Sequence, residues 1–317
     1  MMSTKKEIPV FFSVDHKYIP FLGVAIHSLK KNLSKNSHCT IHVLYTNIPE
    51  DLKARITALS DDRADIRFTN VEKKVSLLAG ELNLRDYYTI SIYYRLFIAS
   101  MFPQYHKAIY LDADVVLNDD ITGLYDQELG DNLVGAASDA IVYGHPDFVQ
   151  YAKGSLGIDA MKYFNSGVLL MNLDEFRRQK IGERFVELLN KYHFDTICPD
   201  QDYLNHLCRG QVLYLDKGWN KMSLDEDYDG VPHLIHYNMF YKPWQYDDIC
   251  YESYFWKFAK ETAFYDEILA IKAAFGEADK EAHRKANETL HANAIRISKM
   301  DHNFYNTLVK GKQESKV

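Results

Sequence analysis

Apolar positions along this chain switch between the period of a strand and that of a helix. Residues 8–14 (IPVFFSV) form a continuous apolar, β-prone run and read as a first strand. Leu22, Ala25, Ile26, Leu29 and Leu33 then recur at helical spacing, which predicts a helix over residues 21–33. A second strand follows at 40–45, and Pro49 opens a helix that runs to residue 59. A third short strand covers 65–68, a helix covers 90–101 and stops before Pro103, and a fourth strand covers 108–111. This strand–helix alternation predicts an α/β fold with a mostly parallel central sheet flanked by helices. Ligands in such sheets gather beyond the carboxyl ends of the strands. Asp15 and the pair Asp112 and Asp114 both fall at that edge, almost a hundred residues apart in sequence.

The second half is less regular. Residues 134–137 read as a strand with Asp139 just beyond it, and 163–173 (YFNSGVLLMNL) as a strand with Asn165 and Ser166 near its start. An amphipathic helix is expected over 181–192, and Pro199 opens another in which Asp200 is the expected N-cap. Short strands follow at 212–215 and 233–237, then a helix over 252–275 and a polar helix over 277–299. The last eighteen residues are expected to be loose. With no internal repeat and no low-complexity linker, the simplest division is a catalytic unit over 1–276 and a C-terminal helical tail over 277–317.

Composition narrows the partners. The net charge of −7 argues against nucleic acid and requires local cations or a metal to receive any anionic substrate. Tyrosine is abundant at 23 residues, and its apolar body and polar tip suit surfaces that hold sugars as well as ordinary cores. Cys39, Cys198, Cys208 and Cys250 make no zinc-type spacing, and so few cysteines in a long chain suggest a reducing compartment. Residues 1–15 contain no apolar stretch of signal-peptide length, and the most membrane-like run, 87–103, is interrupted by Arg95. The expected location is cytoplasmic, with contact to the inner face of the membrane left open.

The chemistry concentrates at residues 110–117, YLDADVVL. In extended backbone Asp112 and Asp114 project to the same side, and two carboxylates at one spot call for a cation between them. A hard divalent ion fits. Taken alone, Asp-x-Asp more often marks a solvated strand-to-turn junction.

Its company decides. FFSVDHKYIPFLGVAIHSL at 11–29, YLDADVVL at 110–117, YFNSGVLLMNL at 163–173 and HYNMFYKPW at 236–244, with Asp200-Gln201-Asp202, resemble the family-8 glycosyltransferases. These are retaining enzymes of the GT-A (Rossmann-like) fold that use a UDP-sugar and a divalent metal. The resemblance covers about residues 8–270. It implies that Asp112, Asp114 and His236 hold the metal, and the mixed oxygen and imidazole set suits Mn2+, with Mg2+ an alternative. Ser13, Val14, Asp15, Tyr18 and Asp112-Ala113-Asp114 match nucleotide-binding positions, although His16-Lys17 stand where relatives often carry Asn. Lys242 matches the lysine on the diphosphate. Arg95, Asp139, Asn165, Ser166, Asp200 and Gln201 match the donor-sugar shell.

The resemblance implies transfer of glucose or galactose from UDP to a hydroxyl of a glycan, glycolipid or glycoprotein. Gln201 stands where a retaining hydrolase would place a nucleophilic carboxylate, and an amide oxygen is a poor nucleophile. That favours front-face attack with Gln201 stabilising the anomeric centre, and leaves Asp200 as the alternative nucleophile. Lys242 and Arg95 complete the catalytic set. A sugar nucleotidyltransferase would want a glycine-rich loop after the first strand, which residues 13–18 lack. A non-catalytic sugar or nucleotide binder would have no need of a lysine for a leaving diphosphate. The tail is nearly balanced in charge, which leaves membrane, partner and homodimer contacts open.

Overall fold

A computed structural model of the chain describes residues 5–73, 87–224 and 228–310. Seven strands form the central sheet in the order β3-β2-β1-β4-β7-β6-β8. They are β1 (Lys6–Ser13), β2 (Ser37–Tyr45), β3 (Ala64–Asn70), β4 (Lys107–Leu111), β6 (Val134–Ala136), β7 (Val168–Asn172) and β8 (Val212–Tyr214). β1, β2, β3 and β4 run parallel, and β8 runs parallel to β6. Only β7 is reversed, pairing antiparallel with β4 and β6. A second, three-stranded sheet joins β5 (Val115–Leu117), β10 (Leu234–His236) and β9 (Lys221–Met222) in the order β5-β10-β9. The α/β architecture with a mostly parallel sheet is as expected.

Strand alternation sorts side chains into two cores. Val10 and Phe12, Ile109 and Leu111, and Val168 and Leu170 enter one. Phe11, Ala108 and Tyr110, Leu169 and Met171 enter the other. The first core is closed by α1 (Ile19–Asn32) and α2 (Glu50–Thr57) and by late helices. The second is closed by a 3-10 helix at Tyr87–Phe97, by α3 (Pro146–Tyr151), α4 (Ile181–Tyr192), α5 (Pro199–Leu207) and the C-terminal segment.

Several boundaries depart from expectation for local reasons. Residues 87–101 form a 3-10 helix and then a single α-turn at Ile98–Met101, because β-branched and aromatic side chains crowd a regular helix. The strand expected over 163–173 begins at Val168, since its upstream N–H groups are taken by side chains. Phe164 N–H donates to Asn205, Ser166 N–H to Gln201 and Gly167 N–H to Asn165. The helix expected over 252–275 is two, α6 (Glu252–Ala259) and α7 (Tyr265–Ala274). Thr262 breaks it by donating to the Ala259 carbonyl and accepting from Phe264 N–H. The turn drives the Phe264 ring onto Gly23, where any β-carbon would stand 2.3 Å from the ring.

The N-cap of α5 is Cys198, not Asp200. The final residues are not loose as far as they are described. Phe304 is fully buried against Phe194 and Tyr203, and Tyr305–Lys310 forms a π-helical turn. Residues 311–317 lie outside the described residues. The polar helix, α8 (Glu277–Ser298), lies on α3, with Ala294 and Ile297 buried and His291 stacked on Phe148 at 4.5 Å. Among the described residues no helix is long and apolar enough to cross a membrane, and no cysteine is joined in a disulfide.

Candidate active site

The site sits where the two sheets meet. β4 ends at Leu111 and its pairing with β7 continues one step further, Asp112 N–H donating to the Gly167 carbonyl at 2.7 Å. The chain then bends, so the two aspartates converge through a turn and not through extended backbone. Val115 opens β5 opposite His236, and Tyr237 N–H donates to the Asp114 carbonyl at 2.9 Å. Backbone pairing alone therefore brings Asp112, Asp114 and His236 together. One ligand atom from each lies within 4.8 Å of the others.

Asp114 is 9% exposed and His236 2%. The Lys242 ammonium stands 2.5 Å from Asp114 Oδ2 and donates to the Tyr237 carbonyl at 2.6 Å. Burial pushes the Asp114 carboxyl up, but Lys242 and then His236 outweigh it and hold the group well below the usual carboxylate range. The other oxygen, Oδ1, is buried without a hydrogen-bond partner, 3.2 Å from His236 Nε2. Asp112 Oδ2 lies 3.9 Å from the same nitrogen. A buried carboxylate oxygen with no donor, beside an imidazole and a second carboxylate, makes this a candidate cation site. Gly167 leaves the room: a β-carbon there would stand 2.4 Å from His236 Cε1 and 2.6 Å from Asp112 Oδ2.

Arg95 is the hub on the opposite wall. Buried among apolar side chains, it pairs with Asp112 at 3.0 Å and Asp200 at 3.3 Å, donates to the Ser166 carbonyl at 2.5 Å, and lies over the Tyr110 ring. Tyr110 itself donates to Asp112 Oδ1 at 2.9 Å. Asp200 is raised by burial, partly offset by Arg95. Gln201 is clamped at both ends of its amide. Its oxygen accepts from Ser166 N–H at 2.9 Å, and its nitrogen donates to Asp139 Oδ2 at 3.0 Å. Asp139 caps the following short helix with its other oxygen. These groups line one cavity of about 220 Å³, with Arg95, Asp112, Asp114, Asp139, Asn165, Ser166, Asp200, Gln201 and His236 all in its wall.

The candidate nucleotide residues lie to the side. β1 is parallel to and beside β4, so Ser13, Val14 and Asp15 reach the same sheet edge, but they do not line this cavity. Asp15 turns its carboxylate inward to accept from Lys17 and Tyr18 N–H. Tyr18 is the link to the cluster. Lys242 pulls its phenol down most strongly, while burial and Asp114, Asp112 and Asp15 together leave it raised. Ala113 is buried between the two aspartates.

The glycosyl transferase family 8 pattern matches residues 9–248, which takes in this entire constellation. The chain belongs to glycosyl transferase family 8. The galactosyltransferase LgtC, solved with donor and acceptor sugar analogs, is 27% identical with a TM-score of 0.66 over 81% of this chain and 96% of LgtC. A structure of an active-site mutant of LgtC, Gln changed to Glu, gives a TM-score of 0.67 at 26% identity, over the same shares of the two chains. The lipopolysaccharide glucosyltransferase WaaO of Escherichia coli K12 is 26% identical over 75% of this chain and 72% of that protein. Glycosyltransferase GlyE of Streptococcus pneumoniae is 25% identical over 77% of this chain. This family-8 chain spans less than two thirds of some relatives, 58% of GlyE and 64% of a Haemophilus influenzae relative.

Reading the family-8 motifs residue by residue overlooks three participants. Gly167 lies inside the NSG block, and its role follows from the contacts its missing side chain would make. Asn238, two residues beyond His236, lines the cavity with a buried carbonyl oxygen that has no partner. Asn220 accepts from His236 Nδ1 at 3.0 Å and has no motif around it.

Proposed function

We propose that this chain is a retaining, metal-dependent hexosyltransferase that moves glucose or galactose from a UDP-sugar to an acceptor hydroxyl. One observation carries the reading: Asp114 keeps a charged carboxylate buried with one oxygen lacking any donor, facing His236 and Asp112. A carbohydrate binder gains nothing from that cost. Asp112, Asp114 and His236 would hold the divalent cation, Mn2+ or Mg2+, whose chemistry there is Lewis-acid neutralisation of a departing diphosphate.

The protein's own groups supply the rest. Lys242 adds a fixed ammonium beside the leaving group. Arg95 holds Asp112 and Asp200 in register, one guanidinium pairing with both carboxylates. Ser13, Val14, Asp15 and Tyr18 would take the nucleoside at the adjoining strand ends. Asp139, Asn165, Ser166, Asp200 and Gln201 would fix the hexose hydroxyls.

Gln201 cannot swing into attack without giving up two hydrogen bonds, which supports the front-face course. In that course the anomeric carbon–phosphate oxygen bond breaks as the acceptor oxygen bonds on the same face. The acceptor proton passes to the departing phosphate oxygen. The Gln201 amide dipole stabilises the positive charge between the two. A glycan, glycolipid or glycoprotein of cell-surface polysaccharide assembly is the acceptor class. The catalytic unit is residues 1–276, and the charged outer face of α8 is the surface for a membrane or homodimer contact.

The test is UDP release from UDP-glucose and UDP-galactose, with Mn2+ or Mg2+ and with chelator, followed by mass spectrometry of products. Metal-dependent release with one donor supports the reading. Absence of turnover with every UDP-hexose, or turnover indifferent to chelator, would overturn it. A sugar trapped covalently on Asp200 or Gln201 would replace the front-face course with double displacement.

A further inference from the structure

The hydrogen bonds around Asn220 have only one consistent set of directions. The Asp139 carboxylate can only accept, so Asn165 presents its NH2 to Asp139 Oδ2, at 3.0 Å. Gly167 N–H confirms this from the other side, donating to Asn165 Oδ1 at 2.9 Å. Asn220 must therefore face Asn165 Oδ1 with its own NH2, at 3.0 Å. That leaves the Asn220 carbonyl for His236, 3.0 Å from Nδ1. Nδ1 therefore carries a proton, and Nε2 is the nitrogen left facing Asp114 and Asp112.

From this chain of contacts we infer that Asn220 is the positioning residue that fixes His236 as an Nε2 ligand, and that it links this ligand to Gln201 through Asn165 and Asp139. The inference deepens the metal-dependent reading above and rests on it. Topology makes the link possible. Asn220 is the last residue before β9, and β9 pairs with β10 so that Met222 lies beside His236. Asn220 is 3% exposed and spends its amide on His236 and Asn165. Gln201 closes the far end, sharing Asp139 Oδ2 with Asn165. The imidazole that would take a cation and the amide beneath the sugar are thus held by one continuous run of oriented amides. Partners of this kind typically change metal affinity 10–100-fold when removed.

Four proteins test it: the full chain, Asn220→Leu, Asn220→Asp and, for assignment, His236→Gln. Asp keeps an acceptor for Nδ1–H, while Leu removes it. Mn2+ binding is measured by electron paramagnetic resonance without donor sugar, with thermal melting to confirm folding. Expected is a roughly 10–100-fold weaker Mn2+ affinity for Asn220→Leu and a value within about 3-fold of the full chain for Asn220→Asp. In 15N-histidine-labelled, metal-free protein, His236, assigned by its loss in His236→Gln, should show a protonated Nδ1. Asn220→Leu should lose that pattern. The inference fails if His236 in the unaltered chain carries its proton on Nε2 alone, or if a folded Asn220→Leu binds Mn2+ as tightly as the unaltered chain. It also fails if both variants lose affinity equally. Absence of Mn2+ binding by the unaltered chain sinks the metal reading instead, and the nitrogen pattern still decides the role of Asn220.

Discussion

Two buried aspartates on neighbouring parts of this molecule end in opposite conditions. Asp202, inside α5, is fully buried and fully satisfied. It accepts from Tyr163 at 2.7 Å, from Tyr151 at 2.8 Å, and from the N–H groups of Ile197 and Cys198 at the start of α5. With no cation beside it, burial pushes its carboxyl up to about 6 despite those donors. Asp114 accepts at Oδ2 from Lys242, which holds it ionised, and its other oxygen stays without a donor. Asp202 is an anchor that closes a helix start onto two tyrosines. Asp114 is the proposed metal ligand. Burial does not distinguish them; the unfilled valence does.

The comparison can be broken most sharply at Asp114. Asp114→Asn and Asp112→Asn should lower UDP-sugar turnover at least about 1,000-fold and abolish Mn2+ binding, measured by UDP release and metal titration. Turnover rescued by excess Mn2+ would place the cation elsewhere. Gly167→Ala comes next, because its β-carbon would enter the space between Asp112 and His236. A loss of about 100-fold in turnover, with Mn2+ binding weakened, is expected from a shift of this size at a catalytic site. Gln201→Ala should reduce kcat by about 100-fold, with the donor KM little changed, if the amide acts on charge that develops only in the transition state.

Asp202→Asn should act in the other direction. It leaves two buried tyrosine hydroxyls and two backbone N–H groups competing for one carbonyl oxygen, at a cost of about 2 kcal/mol in denaturant titration, while turnover per folded molecule stays near that of the unaltered chain. The same residue also sets a pH dependence. A carboxyl raised from 3.8 to about 6 binds its proton more tightly in the folded state. Its contribution is fully present below pH 4 and is lost as pH rises through 6. The stability gap between the unaltered chain and Asp202→Asn should therefore shift by about 3 kcal/mol across that window, read from melts at pH 4 to 6.5. A pH-independent gap would mean that Asp202 is not the group that titrates.

Much of the fold could be read from the chain because it rests on local periodicity. The residues of α4 were bounded at 181–192 by their amphipathic stripe alone. β1 and β4 were recognisable as short apolar runs, and their shared edge followed from parallel pairing. The errors fall where side chains compete with the backbone. Asn165, Gln201 and Asn205 take the N–H groups of residues 164, 166 and 167 and delay β7, and Thr262 divides one expected helix in two. No spacing in the sequence announces such bonds, because the partners are distant in the chain.

The same division holds at the site. The sequence by itself determined the ligand chemistry: two acidic groups at a strand end, an imidazole six residues before a lysine, and a Ser-Gly turn between them. These are properties of residue type and local spacing, which survive without any neighbour. Tertiary structure alone decided what each group has left to bind. Asp139 is saturated by donors from its own helix, from Asn165 and from Gln201, whereas Asp114 Oδ1 is not satisfied by any. Asn220, with no motif to mark it, is brought beside His236 by a two-residue strand pairing. Valence left over after folding depends on every contact in three dimensions, so a linear pattern names the atoms but cannot say which of them remain available.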